Sequence, residues 1–343
     1  MLPTLMLACA TQALQIQPPT ALERCYEGQR IVLRAALELP GELLDRRLLQ
    51  LYQQPLDVPL ELSVPWWNGT DLLEPREELP VSAADSARLV FGGAVREFSR
   101  SERPDAFGAP LVEVALERAF VARRAGELTL AASRVRGAYA TQFGDDLVLG
   151  ATALDREEFT LASEARVLRI LPLPEAGRPA GFRGAIGDLR VQLELGAPEV
   201  AVGAELALRL VVEGEGNHGE FDVADPLLPA GAHVRARSAA HEPGRSRFEF
   251  AVVSERAGEL ELAPLEFAYF DPRVAEYRIA RASALRARVV AHATAAPPTP
   301  VSSPAPGAGF SARSTLLKAC AIGGAALGIL AAVWVLALRR RVE

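Results

Sequence analysis

Residues 214–219 read GEGNHG, which fits the G-x-G-x-x-G pattern of dinucleotide-binding loops. In that motif the glycines lead from a strand into a helix whose N-terminus faces the pyrophosphate. Here the segment EFDVADPLLPAG follows, and its residues Pro226 and Pro229 prevent a helix of useful length. The pattern therefore predicts a glycine-rich connection between strands, and we expect no cofactor.

Three carboxylates crowd the same connection: Glu220, Asp222 and Asp225. Calcium prefers such oxygen ligands, but their spacing is not that of an EF-hand loop. Three histidines of this region also stand at no metal-ligand spacing: His218, His233 and His241. The chain contains no G-x-S-x-G, H-E-x-x-H or P-loop motif. We therefore expect solvated acidic side chains, no metal site and no catalytic set, so the chain is not predicted to be an enzyme.

The cysteines are Cys9, Cys25 and Cys320. Their number is odd, and no two of them form a Cys-x-x-Cys pair. Neither a disulfide framework nor a zinc site is therefore indicated.

Trp66 and Trp67 stand together in VPWWNGTDLLEPREELPVS, residues 64–82. Consecutive side chains of a strand point to opposite faces of the sheet, so we expect at least one of the two rings to be exposed. Two interpretations remain open: the pair packs as part of a loop over a sandwich, or it is a binding anchor for a partner.

Alternating residues predict the elements that carry these side chains. In DLRVQLEL, ELALRLVVE and RFEFAVV every second side chain is apolar. This period of two is typical of half-buried β-strands. No stretch before the C-terminal apolar segment shows a helical stripe, which favours an all-β fold.

Two pairs of similar segments indicate an internal repeat. GQRIVLRAALE at residues 28–38 resembles GAELALRLVVE at residues 203–213. RAGELTLA at residues 124–131 resembles RAGELELA at residues 256–263. Both pairs occur in the same order, but the first unit is longer between its two segments, so we read the chain as two related units with an insertion in the first.

Short alternating strands separated by turn residues favour antiparallel sandwiches. We therefore predict two tandem immunoglobulin-like β-sandwich domains, residues 13–175 with an insertion and residues 183–291. The insertion is expected to include residues 64–82.

ACAIGGAALGILAAVWVLAL, residues 319–338, is free of charge and long enough to cross a bilayer as a helix. We predict one transmembrane helix within residues 315–338. Three arginines follow at once, which places the tail, residues 339–343, in the cytoplasm. Gly324 and Gly328 form a G-x-x-x-G pattern that would allow a second helix to pack closely.

The segments that flank the predicted domains fit export and anchoring. Residues 292–314 are rich in Pro, Ala and Ser, which is typical of an extended linker. Residues 1–12 form a weak export signal, because no basic residue precedes the apolar run. We expect a single-pass protein of the bacterial inner membrane with both sandwiches in the periplasm.

A net charge of −6 at 343 residues, with both signs interspersed, leaves no basic stripe along the chain. Nucleic acid is therefore not an expected partner.

The second unit resembles the BatD family, also called oxygen-tolerance or aerotolerance proteins. The resemblance lies in GFRGAIGDLRVQLEL, VGAELALRLVVEGEGN and RFEFAVVSERAGELELAPLEFAYFDPRVAEYR, over roughly residues 180–290. The first unit is similar through EGQRIVLRAALE and ARRAGELTLA. The resemblance implies periplasmic immunoglobulin-like domains without catalysis. It also implies association with von Willebrand A-domain membrane proteins and, indirectly, with a MoxR-type AAA+ ATPase in envelope stress or oxygen tolerance.

These observations lead to two hypotheses of function. The first is a non-catalytic, membrane-anchored scaffold that binds other envelope proteins through sandwich faces, edge strands or the span. The second is a periplasmic receptor module for a glycan or peptide, with Trp66 and Trp67 as its stacking platform. An enzyme is the third and weakest hypothesis, because the sequence offers no catalytic set.

Overall fold

Strands dominate the structure, as the alternation of apolar and polar residues predicts. The computed structural model describes residues 14–17, 19, 22–51, 53–146 and 150–291, which belong to one compact unit. The expected all-β, sandwich-like fold is confirmed over these residues.

The predicted export signal, linker, membrane span and cytoplasmic tail lie outside the described residues, as do Gly324 and Gly328. Within the described part of the chain, no helix is long and apolar enough to cross a membrane. The one α-helix there is short: α1, Gly41–Arg46, which buries Leu43 and Leu44. Six residues are too few to produce the apolar stripe by which a helix is predicted from sequence.

Strands β1 to β14 form the part of the structure that we call the N-terminal lobe. They are β1 (Gln15–Ile16), β2 (Arg24–Tyr26), β3 (Arg30–Pro40), β4 (Glu61–Ser63), β5 (Leu73–Glu78), β6 (Ser86–Phe91), β7 (Ala94–Pro104), β8 (Pro110–Ala122), β9 (Gly126–Leu130), β10 (Arg134–Tyr139), β11 (Phe143–Asp146), β12 (Gly150–Ala153), β13 (Glu157–Ala162) and β14 (Arg166–Leu171). A 3-10 turn, Ala83–Asp85, precedes β6.

The main sheet of the N-terminal lobe runs in the order β1-β3-β8-β7-β6-β4-β10-β13, and β5 also pairs with β8. A second sheet has the order β2-β14-β9, and β11 and β12 form a hairpin. Along β3 the side chains of Leu33, Leu37 and Leu39 are fully buried, which is the inward face that the period of two predicts.

Strands β15 to β23 form the C-terminal lobe. They are β15 (Gly187–Leu195), β16 (Glu199–Ala201), β17 (Glu205–Gly216), β18 (Ala232–Glu242), β19 (Arg245–Ser254), β20 (Gly258–Leu262), β21 (Leu265–Asp271), β22 (Glu276–Ala282) and β23 (Leu285–Val290). The sheets have the orders β15-β17-β19-β18, β16-β23-β20 and β21-β22.

Each lobe has its own apolar core. The core of the C-terminal lobe lies between the four-stranded sheet and the other two sheets. Leu208 and Phe250 enter it from one side, and Leu260, Phe267 and Val289 enter it from the other. The core of the N-terminal lobe is larger and includes side chains from the long segment between β3 and β7.

The repeated sequences occupy equivalent strands. In each lobe the RAGEL copy begins an edge strand, β9 or β20, that pairs antiparallel with the last strand of the lobe. That last strand, β14 or β23, pairs on its other side with a short parallel strand, β2 or β16. The GxxIxLR copies lie in β3 and β17, so the same strand arrangement occurs twice.

The lobes differ in the segment that follows β3 in the N-terminal lobe and its equivalent β17 in the C-terminal lobe. In the N-terminal lobe, residues 41–93 supply α1, β4, β5 and β6, and residues 64–82 are part of this longer segment. In the C-terminal lobe, residues 217–231 connect β17 to β18 without a helix or strand. The main sheet of the N-terminal lobe therefore continues beyond β7, whereas the described sheet of the C-terminal lobe stops at β18.

Candidate interaction surface

Trp66 and Trp67 lie in the core of the N-terminal lobe, only 3% and 2% exposed. The expectation that at least one ring is exposed is wrong. Residues 65–68 form a turn after β4, so the alternation of a strand does not apply to them. The Trp66 ring lies 6.3 Å from Phe120, and the Trp67 ring lies 5.1 Å from Phe91. Neither ring has an exposed face on which a ligand could stack.

The polar atoms of Trp67 bond to side chains of neighbouring strands, of which Glu78 is exposed. Its Nε1 donates to Glu78 Oε1 at 3.2 Å, and Arg118 donates to the Trp67 carbonyl at 3.1 Å. Arg96 donates to the same Glu78 oxygen at 2.7 Å. These contacts hold the insertion against the sheet.

The glycines of residues 214–219 serve strand pairing, and no helix follows them, as predicted. A Cβ at Gly214 would stand 2.0 Å from the Asp188 carbonyl oxygen, and one at Gly187 would stand 2.1 Å from that of Glu215. The glycines therefore allow β15 and β17 to approach each other closely, which no side chain would permit.

The acidic residues of the connection pair with arginines. Glu220 accepts hydrogen bonds from Arg76 and, at 2.8 Å, from Arg123, both of the N-terminal lobe. Asp222 and Asp225 both pair with Arg237 of β18. Across the described residues, no group of three or more His, Cys, Asp or Glu side chains is arranged to hold a metal ion. The Glu220 pairs join the two lobes.

Asn217 is the centre of the junction between the lobes and is 1% exposed. Its Nδ2 donates to the Gly28 carbonyl at 3.0 Å and to the Gly184 carbonyl at 2.8 Å. Its Oδ1 accepts from the Ile186 N–H at 2.8 Å. One buried amide thus satisfies backbone groups of the N-terminal lobe, of the connection between lobes and of the entry to β15. Sequence patterns alone do not identify this residue.

An aromatic cluster forms the rest of the junction. The Tyr26 and Phe270 rings lie 4.7 Å apart, edge to face, and Phe270 lies 5.1 Å from Tyr277. Tyr277 Oη donates to the Pro174 carbonyl at 2.7 Å. Ile186 is buried in the same cluster. Apolar packing and hydrogen bonds therefore act together to hold the lobes in one arrangement.

His218 and His241 both contact the buried hydroxyl of Ser246. His218 Nε2 lies 2.8 Å from the Gly214 carbonyl, which can only accept, so this nitrogen carries the proton of the neutral ring. His218 Nδ1 then accepts from Ser246 Oγ at 2.9 Å. Burial lowers the pKa of His218, which favours the neutral form. Because Ser246 is 0% exposed, its hydroxyl has a structural role in this fold.

Strand β18 forms one edge of the four-stranded sheet of the C-terminal lobe. All of its side chains are exposed except those of Ala232 and Val234, which are half-buried. Its inner neighbour is β19, and no described strand pairs with its other side. A β-bulge between Val234 and Ala236 and the charges of Arg235 and Arg237 are features that limit unspecific pairing at such an edge.

An apolar cleft of about 680 Å³ opens beside β21 of the same lobe. Leu193 and Leu208 line it from the four-stranded sheet, and Leu265 and Phe267 line it from β21. Leu227 of the connection forms its rim and is 81% exposed. An exposed leucine beside a concave apolar surface is typical of a binding site for an apolar group.

The described surface thus offers a strand edge and an apolar cleft, which can bind a polypeptide without chemical catalysis. No protein-family model matches the chain, and no curated protein matches its sequence.

Proposed function

We propose that this protein is a non-catalytic, membrane-anchored scaffold that binds other proteins of the bacterial envelope. One observation carries the proposal: the C-terminal lobe lacks the strands that continue the sheet of the N-terminal lobe. Among the described residues, β18 and residues 265–268 of β21 have no strand partner on one side, and the apolar cleft lies beside β21. Open strand edges bind partners through backbone hydrogen bonds, which need no side-chain motif.

The junction supports a scaffold function. Asn217, the Glu220 ion pairs and the aromatic cluster join the lobes through hydrogen bonds, charge and apolar packing. A scaffold gains from such a junction, because partners bound to either lobe are then held at a constant separation.

The sequence supports the anchoring and the partner class. Residues 319–338 have the length and composition of a span, and the basic tail favours a cytoplasmic C-terminus, with the lobes in the periplasm. The resemblance to BatD adds immunoglobulin-like domains, von Willebrand A-domain membrane proteins as partners and a MoxR-type ATPase as an indirect one. These assignments are part of the proposal.

The cleft supports a second candidate function, a peptide-binding receptor. Its volume of about 680 Å³ lies within the range of ligand pockets, which is about 300–1,000 Å³. Its lining is mainly aliphatic, which suits apolar peptide side chains better than sugar rings. Trp66 and Trp67, the expected stacking platform for a glycan, are buried.

Co-purification tests the scaffold proposal. The tagged full-length chain would be purified from gently solubilised membranes of its own host, and the proteins that accompany it would be identified by mass spectrometry. A tagged chain that contains only residues 292–343 is the matched control, because it keeps the predicted span without the lobes. We expect von Willebrand A-domain membrane proteins with the full chain and not with the control. A full chain that is recovered alone would contradict the proposal.

A further inference from the structure

Strand β4 shows how the N-terminal lobe fills the position beside β10. It pairs antiparallel with β10, and Val135 stands opposite Leu62. Counted from the repeated RAGEL segment, residues 134–136 of β10 correspond to residues 266–268 of β21. In the described part of the C-terminal lobe, β21 pairs with β22 and no strand takes the place of β4.

On the side away from β22, Phe270 of β21 forms an isolated parallel bridge with Ile186, whereas residues 265–268 have no described strand partner on that side. The Phe270 N–H donates to the Ala185 carbonyl at 2.9 Å, on the side away from β22. Because backbone groups alternate along a strand, those of Glu266 and Ala268 point to the same side. In the equivalent strand β10, the Ala138 carbonyl accepts a hydrogen bond from the Leu49 N–H on the side where β4 pairs. The backbone groups of Glu266 and Ala268 are therefore on the side that corresponds to the β4 side of β10.

The segment that contains β4 also shows which side chains fit this position. Leu60, Leu62 and Val64 are buried, whereas the intervening Glu61 and Ser63 are half-buried and exposed. Leu60 packs so closely on β10 that a Cβ at Gly137 would lie 2.4 Å from its Cδ2. At the matching place in the C-terminal lobe lies the apolar cleft, lined by residues 265–268 of the free edge.

We propose that this cleft binds an extended segment of a partner protein with apolar residues at alternate positions. The segment adds to β21 as an antiparallel strand along residues 266–268, and its central apolar side chain lies opposite Phe267. This inference rests on the proposed scaffold function and names the site and the kind of segment that it binds.

A second copy of this chain is not the source of the segment. Its own β4 is paired on both sides, with β10 and with β6, and its leucines are fully buried. Donation of β4 in trans would expose that core, which costs more than the added pairing returns. Donation of β4 by a second copy is therefore excluded, and the proposed source is a different protein.

The sequence of β4 supplies the probe. A labelled peptide of residues 58–64, VPLELSV, would be titrated into the full-length chain in lipid nanodiscs, with binding followed by fluorescence anisotropy. The control peptide VPELLSV has the same composition but places the leucines side by side. We expect VPLELSV to bind at least tenfold more tightly, since only alternation directs both leucines into the cleft.

Two leucines allow a matched pair of variants. Leu227→Glu changes the rim of the cleft, and Leu154→Glu changes a side chain 67% exposed in the N-terminal lobe. Both positions are exposed, so neither variant should disturb folding. We expect Leu227→Glu to weaken peptide binding at least tenfold, because a leucine that closes the cleft is replaced by a charge. Leu154→Glu should leave binding unchanged.

Hydrogen exchange locates the bound peptide. We expect the backbone amides of Glu266 and Ala268 to exchange more slowly when VPLELSV is present. Protection at β18 instead, or no binding of either peptide, would overturn the inference. Slow exchange of the Glu266 and Ala268 amides before the peptide is added would overturn it as well, because a segment of this chain would then occupy the edge.

The same variants separate this inference from the scaffold proposal. If Leu227→Glu co-purifies the same envelope proteins in the same amounts as the unchanged chain, the cleft inference is wrong and the scaffold proposal stands. If the unchanged chain co-purifies no envelope protein, the scaffold proposal itself fails.

Discussion

Both rings of the pair Trp66 and Trp67 belong to the interior because a turn, and not a strand, carries them. Alternation along a strand sends neighbouring side chains to opposite faces, whereas a turn can direct two consecutive side chains to the same core. Their role in the fold is to fill the space that the inserted segment encloses.

We expect Trp67→Ala to lower the free energy of unfolding by about 3–5 kcal/mol, since the change removes a large buried ring and leaves a cavity. Urea unfolding of the full chain in detergent, followed by circular dichroism, measures it. Phe107→Ala is the control, because Phe107 is 95% exposed and its loss should change stability by less than about 0.5 kcal/mol. Equal effects of the two changes would contradict the burial of Trp67.

His218 is the residue through which we expect pH to act on stability. Burial lowers its pKa in the folded protein below the ordinary value of 6.5. The unfolded chain therefore takes up this proton first as the pH falls. Stability from the neutral ring is fully present above pH 6.5 and is lost as the pH falls through the lowered pKa.

The measurement compares the free energy of unfolding at pH 7.5 and pH 5.5. His218→Gln should reduce the loss of stability on acidification, because glutamine does not take up a proton in this range. His233→Gln is the matched control, since His233 is exposed on β18. If the loss on acidification is the same in the His218→Gln variant and the unchanged chain, His218 is not the group responsible.

At the scale of elements, the connection between β17 and β18 joins the two lobes, which its sequence does not indicate. Its Asn217 bonds to both lobes, and its Glu220 pairs with arginines of the N-terminal lobe. The sequence predicts that the glycines of residues 214–219 connect strands, but Gly214 and Gly216 lie within β17, where they allow β15 to pair closely. The role of the connection in joining the lobes depends on contacts far apart in sequence and could not be predicted from local patterns.

We expect Asn217→Ala to destabilise the protein by at least about 3 kcal/mol. The substitution leaves the carbonyls of Gly28 and Gly184 and the N–H of Ile186 without their partner, at about 1–3 kcal/mol for each buried group. Urea unfolding measures the change, and Asn68→Ala at an exposed position is the control. A loss below 1 kcal/mol would show that water replaces these hydrogen bonds.

At the scale of the whole molecule, two similar lobes differ in how their sheets end. The insertion adds β4 and β6 to the N-terminal lobe, so that its main sheet reaches β10 and β13. The connection of the C-terminal lobe, residues 217–231, is shorter; in the described residues β18 and residues 265–268 of β21 have no strand partner on one side, and a cleft lies beside β21. This difference between two similar lobes is the feature on which both functional proposals rest.

The predicted anchor is tested on the whole molecule as well. Removal of residues 319–338 should move the protein from the membrane fraction to the soluble fraction, because those residues supply the apolar length of one span. Replacement of Gly324 and Gly328 by leucine is the control, since it keeps that length and should leave the protein in the membrane. A protein that stays in the membrane without residues 319–338 would contradict the predicted span.

The sequence by itself determined the strands and the repeat. Leu206, Leu208, Leu210 and Val212 occupy every second position of β17, and all four are buried as this period predicts. The two RAGEL copies indicate equivalent strands from the sequence alone. Both signals are local, because a period of two depends only on neighbouring residues and a repeat depends only on the order of letters.

Tertiary structure alone decided the remaining features. The burial of Trp66 and Trp67, the junction at Asn217 and the free edge of β21 each depend on residues brought together from distant parts of the chain. Alternation shows which face of a strand is apolar, but not which strand lies beside it, because the same pattern suits many pairings. Which edges remain open is settled only when the whole sheet has formed.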